Sequence, residues 1–235
     1  MVKGRTMRFT QESCAIVGAA DFNASHFRSM EFDHVVAADG GWSALEGIGV
    51  HAPDAVGDFD SLGYVPDAAH VMRYPQEKDA SDLELASARA DELGASAFVY
   101  YGCLSGRLDQ TIAAIDSMRH WSKVGKRVFG IGDLFCVAIV NPAHSLEFRP
   151  FDASSLAESS PYGSYVSVFA VGGDAHGVNE RGLKYGISDF TLRGDTTRGL
   201  SNELCGDAVR IDVESGQLLV TFPLDAWSHL SAVFA

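Results

Sequence analysis

The chain has 235 residues, 46% of them hydrophobic, and a formal net charge of −13. That length holds one large domain or two modest ones with apolar residues enough for a core. The acidic balance argues against nucleic acid or an anionic membrane as a partner, but not against a small phosphate ligand handled by a cation and backbone N–H groups. No apolar stretch approaches the ~20 residues that span a bilayer. The N-terminus has no apolar signal core, so the expected location is cytoplasmic. Cys14, Cys103, Cys136 and Cys205 are scattered without the spacing of a zinc or redox motif, and the first three lie in or beside apolar runs as buried thiols would.

Residues 13–20, 34–39, 97–102, 127–132 and 135–140 are short runs rich in Val, Ile, Phe and Tyr. Such runs suit strands buried on both faces. Helical spacing of Leu83, Ala86, Ala90 and Leu93 predicts a helix over 81–94, with Ser81 and Glu84 as a capping box and Gly94 just past its end. A second helix is expected over about 109–120. Alternation of this kind predicts a mostly parallel α/β sheet.

After Pro142 the pattern becomes antiparallel β. Runs at 165–171, 190–193, 209–213 and 218–222 are separated by Gly, Ser, Asp and Asn. The alternation of Val209, Ile211 and Val213, resumed by Leu218, Val220 and Phe222 after a four-residue turn, predicts a hairpin with one buried face. Two domains are expected, an α/β one over residues 1–140 and a β-sandwich over 141–235, joined through a polar segment around 152–160.

Polar clusters follow the predicted parallel strands at their carboxyl ends, where open α/β sheets bind ligands. Asp39-Gly40-Gly41 follows the second run, and alone it reads as a turn. Asp58 and Asp60 flank Phe59 after the apolar piece 54–56. In an extended segment their side chains share a direction, a repulsive arrangement unless a divalent metal sits between them. Asp82 and Glu84 fall in a helix first turn, where dipole and cap also account for acids. Gly102 to Asp109 is a glycine-containing strand-to-helix turn that presents N–H groups to phosphate, with Arg107 placed for a bidentate contact; an ordinary loop is the alternative. Gly199-Leu200-Ser201-Asn202-Glu203 reads as a polar turn between two strands.

Taken in order, Asp39-Gly40-Gly41, Gly57-Asp58-Phe59-Asp60-Ser61, Lys78-Asp79-Ala80-Ser81-Asp82-Leu83-Glu84, Gly102…Gly106-Arg107-Leu108-Asp109 and Gly199-Leu200-Ser201-Asn202-Glu203 resemble the motifs of thiamine pyrophosphokinase. Gly182-Leu183-Lys184-Tyr185 resembles the segment before that family's last motif. Ser81 stands where the family commonly has threonine, Ser105 where it has a second glycine, and Gln110 where it has histidine.

The resemblance implies transfer of the diphosphate of ATP to the hydroxyl of thiamine, a homodimer, and thiamine held near the subunit interface. It also implies Mg²⁺ at Asp39, Asp58, Asp60 and Asp82, with Arg107 as a further catalytic residue. Gly40, Gly41, Ser61, Lys78, Asp79, Gly102, Gly106 and Asp109 would serve ATP. Ser201 and Asn202 would serve thiamine, with Tyr185 or Trp227 as a stacking face against the alternative of core packing for both rings. A pyrophosphokinase for another hydroxyalkyl heterocycle, such as a pterin, and a non-catalytic binding module are the alternatives.

Overall fold

Runs of apolar residues bounded by glycine and acids become strands here because only a sheet covered on both faces removes all of their side chains from water. The structure, a computed structural model, describes residues 6–77, 79–159, 161–231 and 233. In chain order the elements are β1 (Met7–Arg8), β2 (Ser13–Val17), α1 (Ala24–Ser29), β3 (Met30–Glu31), β4 (His34–Ala38), α2 (Gly41–Glu46), β5 (Asp54–Gly57), β6 (His70–Arg73), α3 (Asp82–Glu92), β7 (Ala97–Tyr101), α4 (Leu108–Lys123) and β8 (Arg127–Ile131). There follow β9 (Phe135–Val140), β10 (Leu146–Phe148), α5 (Ser154–Ser159), β11 (Tyr165–Ala170), β12 (Ala175–Arg181), β13 (Ile187–Leu192), β14 (Asn202–Glu203), β15 (Val209–Asp212) and β16 (Leu218–Pro223). Two compact units emerge. One contains the chain up to His120 with Gly130–Asp133; the other contains Trp121–Phe129 and the chain from Leu134 onward.

In the first unit β7, β2, β4, β5 and β6 lie side by side in that order, every pairing parallel. Strands β2 and β7 are buried at every position, which is why their sequences do not alternate. The cap predicted for α3 forms: Glu84 N–H donates to Ser81 Oγ at 3.2 Å and Ser81 N–H to Glu84 Oε2 at 2.8 Å. Gly94, at φ +85, turns the chain away after it. The chain leaves β2 toward β4 on one side, and β7 returns on the other. The sheet therefore has a topological switch point between β2 and β7.

The second unit has two antiparallel sheets, β14-β11-β16-β9 and β10-β15-β12-β13. Phe148 of β10 and Phe222 of β16 meet edge to face at 5.3 Å, so a ring from each sheet fills the layer between them. Trp227 is buried against Phe129 at 5.1 Å, a core residue as the packing alternative required. The fold is thus a mostly parallel α/β sheet in the N-terminal part and antiparallel sheets in the C-terminal part.

The predicted hairpin is not formed. β15 pairs with β10 and β12, whereas β16 pairs with β9 and β11. Residues between Asp212 and Leu218 carry the chain from one sheet to the other. Alternation reports which side chains are buried, and a strand arching across a core has the same period as one folding back beside its neighbour. The run 135–140 likewise pairs antiparallel with β16, which its continuous burial could not reveal.

Candidate active site

The first unit opens a cavity at its switch point. β2 runs into Gly18-Ala19-Ala20 and β7 into Gly102. Gly18 N–H donates to Tyr101 O and Ala20 N–H to Gly102 O, both at 2.8 Å. Gly102 has φ +60, and a Cβ there would come within 2.4 Å of the Gly18 carbonyl oxygen. Gly41 is as constrained: its Cβ would fall 1.9 Å from the Val17 carbonyl oxygen, so α2 lies directly against the end of β2. The cavity of about 670 Å³ is walled by Asp39, Asp58, Asp79, Asp82, Gly102, Gly106 and Arg107 among others. Such a volume holds a nucleotide-sized ligand.

Three carboxylates cluster at its edge, two of them on its wall. Asp39 follows β4 at φ +44, and Phe59, between Asp58 and Asp60, stands at φ +61 with its ring buried. The pair is therefore not gathered by an extended segment, as the spacing predicted, but by a left-handed turn anchored on Phe59. Left-handed backbone in a bulky residue is strained and persists where the surroundings enforce it. Asp39, Asp58 and Asp60 each place an oxygen within 4.8 Å of the others.

Asp39 Oδ2 accepts from Ser61 Oγ at 2.7 Å, while its Oδ1 is buried without a hydrogen-bond partner among the described residues. Asp60 accepts from Gln76 Nε2 at 2.8 Å. Hydrogen bonding and charge from Asp58, with a smaller contribution from Asp39, hold the Asp60 carboxyl above the usual carboxylate range. Close-set oxygen donors with an orphaned buried acceptor fit a hard divalent cation such as Mg²⁺. Asp82 lines the same cavity from the first turn of α3, outside the three-carboxylate group.

Gly106 and Arg107, on the same wall, immediately precede α4. Arg107 Nε and Nη2 donate to Asp109 Oδ1 and Oδ2 at 3.1 and 2.6 Å. The guanidinium holds the Asp109 carboxyl below its usual range. Ser105 Oγ accepts from Asp21 N–H at 3.0 Å, tying this loop to the segment after β2.

Gly40, Gly41, Ser61 and Asp109 stand beside the cavity rather than on its wall. Asp60 lines an adjoining recess of about 410 Å³ with Asp58, Arg73 and Gln76. Lys78 lies outside the described residues. Sequence reasoning missed Gly18, Ala19, Ala20 and Gln76, small or uncharged groups whose only signal was their place after a strand. Cys103, also on the wall, is a buried thiol pushed up to about 12, which presents no thiolate to a ligand.

The second unit carries its own cavity of about 400 Å³, bounded by Glu180, Tyr185, Phe190, Leu192, Arg198, Leu200 and Asn202 among others. The Arg198 guanidinium lies 4.6 Å from the centre of the Phe190 ring. Tyr185 is 60% exposed, so core packing does not describe it. Asn202 is 6% exposed. Ser201, at φ +60, donates its N–H to Ser167 Oγ at 3.0 Å and is adjacent to the wall rather than on it. Glu180, Phe190 and Arg198 were not anticipated; in the sequence they look like an ordinary polar face and core ring.

A glycine-bounded crevice at the carboxyl ends of a parallel sheet, lined by carboxylates and an arginine, marks the class of open α/β proteins that bind ligands at a topological switch point. Residues 29–129 match the family model described as thiamin pyrophosphokinase, catalytic domain, and residues 154–218 match that described as thiamin pyrophosphokinase, vitamin B1 binding domain. The chain belongs to the thiamin pyrophosphokinase family, a family of diphosphotransferase enzymes.

Among similar solved structures is the thiamine pyrophosphokinase from Bacillus subtilis, at 20% identity and TM-score 0.76, covering 90% of this chain and 98% of that one. The thiamin pyrophosphokinase from Geobacillus thermodenitrificans has 22% identity and TM-score 0.72, with 92% and 99% covered. The yeast enzyme has 15% identity and TM-score 0.68, with 93% and 88% covered. No curated protein sequence matches the chain.

Proposed function

We propose that this protein transfers the diphosphate of ATP to the hydroxyl of thiamine, giving AMP and thiamine diphosphate. The observation that carries this reading is the close-set group of Asp39, Asp58 and Asp60 oxygens, two of these residues lining the same strand-end cavity as Arg107. In this reading residues 1–140 serve ATP and residues 141–235 serve thiamine. Asp39, Asp58, Asp60 and Asp82 would hold Mg²⁺, which would supply positive charge to offset that of the phosphates. Ser61 keeps the Asp39 carboxylate oriented, and Gln76 does the same for Asp60.

Transfer of this kind needs alignment and charge neutralisation more than covalent help. Arg107, steadied by Asp109, supplies positive charge to the diphosphate as AMP departs. Gly102 and Gly106 leave their backbone open to the phosphates, with Asp79 on the same wall, and Gly40 and Gly41 let the chain turn tightly behind Asp39; Lys78 is assigned to the phosphates by the family resemblance alone. A carboxylate of the cluster accepts the proton of the attacking hydroxyl. Tyr185, Ser201 and Asn202 shape the thiamine site. A homodimer and a cytoplasmic location belong to the same proposal; exposed Tyr185 and Leu200 offer apolar surface for a subunit contact.

The test is one incubation of protein, ATP, Mg²⁺ and thiamine, read by mass spectrometry, with parallel tubes holding a hydroxymethylpterin or no alcohol. AMP and thiamine diphosphate should appear in equal amounts in the first tube alone. Product in the pterin tube, or thiamine bound without AMP release, would reject the assignment.

A further inference from the structure

Asn202 has no hydrogen-bonding capacity left for a ligand. Its amide nitrogen donates to Glu180 Oε2 and to the Tyr185 carbonyl, both at 2.8 Å. Its oxygen accepts from the N–H groups of Tyr185 at 3.0 Å and Glu203 at 2.9 Å. A side-chain amide has two donors and two acceptor sites, so all four are taken. The residue is a clamp between β12, the Tyr185 segment and β14.

Glu180 is in the opposite condition. It is 3% exposed and lines the same cavity, and Asn202 is the one hydrogen-bond partner of its carboxyl among the described residues. Register shifts in the β12–β13 pairing interrupt the alternation of β12, so that Gly177 to Glu180 are all buried. Irregularities of this kind re-aim side chains. Burial holds the Glu180 carboxyl above the usual carboxylate range, with the Asn202 bond pulling the other way. A buried carboxyl with spare acceptor capacity is costly until a donor reaches it. The rest of the wall is largely apolar, with Ile187, Phe190, Leu192 and Leu200, and its one other charged side chain, Arg198, is turned over Phe190. The ligand class that fits is a flat heteroaromatic ring bearing an N–H donor.

We propose that Glu180 is the specificity-determining residue of the second unit, accepting from the exocyclic amine of the thiamine pyrimidine, with Asn202 as the positioning residue that holds its carboxyl in place. This rests on the reading of that cavity as the thiamine site.

Calorimetry on the full chain with thiamine and with its desamino analogue tests it. The wild-type protein should prefer thiamine by about tenfold to a hundredfold, the range for one buried hydrogen bond. In Glu180→Gln the amide oxygen is drawn to Asn202 Nδ2, which turns an NH₂ toward the ligand, and the preference should vanish. Glu180→Leu should lose it as well, while ATP-analogue affinity and thermal melting certify the fold of both variants. A wild-type protein that binds both ligands equally, or a folded Glu180→Gln that keeps the wild-type ratio, overturns the proposal. Leu200→Trp, which fills the cavity mouth, separates the two failures. Unchanged thiamine affinity in that variant removes the cavity reading and the proposal with it. Blocked binding combined with an unaltered Glu180→Gln ratio removes only the role of Glu180.

Discussion

The first unit's cavity gathers carboxylates from separate strand ends and leaves a buried Asp39 oxygen without a hydrogen bond. The second unit's cavity surrounds one buried carboxyl with an amide whose four bonds are all made within the protein. The contrast follows from what each would hold in the proposed function. A polyphosphate and its cation bring dense charge, so the protein supplies charges it has not already neutralised. The aminopyrimidine ring, unlike the thiazolium, brings no charge, so the protein supplies apolar walls, one acceptor and a rigid frame to aim it. The first arrangement stores repulsion and strained backbone at Asp39 and Phe59; the second has little to spare and fails by loosening.

The sharpest way to break this contrast is at Asp58 or Asp60. Either one replaced by asparagine should lower AMP release by about a thousandfold or more, while thermal melting shows no loss of stability because a like charge has been removed. Near-normal turnover in both would end the metal assignment. Arg107→Ala should lower turnover by about a hundredfold with little change in melting, since the Arg107–Asp109 pair is largely exposed and such pairs contribute little. A large stability loss would instead make that pair structural.

Asn202→Ala tests the other cavity. It strands Glu180 and both backbone groups of Tyr185, and should cost about 2–4 kcal/mol in denaturant unfolding. A cost near zero would mean that water satisfies those groups and that no rigid frame exists.

A smaller effect is expected with pH. Burial lowers His26 from its ordinary value to about 4, and its Nδ1 lies 2.9 Å from the Tyr101 hydroxyl. A depressed histidine favours the neutral form in the fold, so its contribution is present above about pH 6.5 and is lost as pH falls toward 4. At pH 5 the loss should be about 2 kcal/mol. Unfolding curves of wild type and His26→Gln, taken from pH 7 to 4, isolate it: the variant's stability should fall less steeply over that range. Parallel curves would remove His26 as the cause.

Much of this was written locally. The capping box at Ser81 and Glu84, the double-sided strands β2 and β7, the glycine at the end of β7 and the acids after β4 and β5 are set by period, burial and backbone freedom within a few residues, and the sequence by itself determined them. From those positions alone a parallel sheet with a strand-end crevice follows, because parallel strands put their carboxyl ends on one edge.

What the tertiary structure decided is partnership. The segments 209–212 and 218–223 have the spacing of a hairpin yet join different sheets, since hydrophobic alternation records burial and not the neighbour that provides it. Asp58 and Asp60 converge through a left-handed Phe59, which only a buried ring held by its surroundings can maintain. Asn202 looked like a ligand contact and is fully bonded, while Glu180, which no local pattern marks, lines a cavity. Whether a polar side chain is satisfied depends on atoms brought in from distant segments, and no local pattern carries that information.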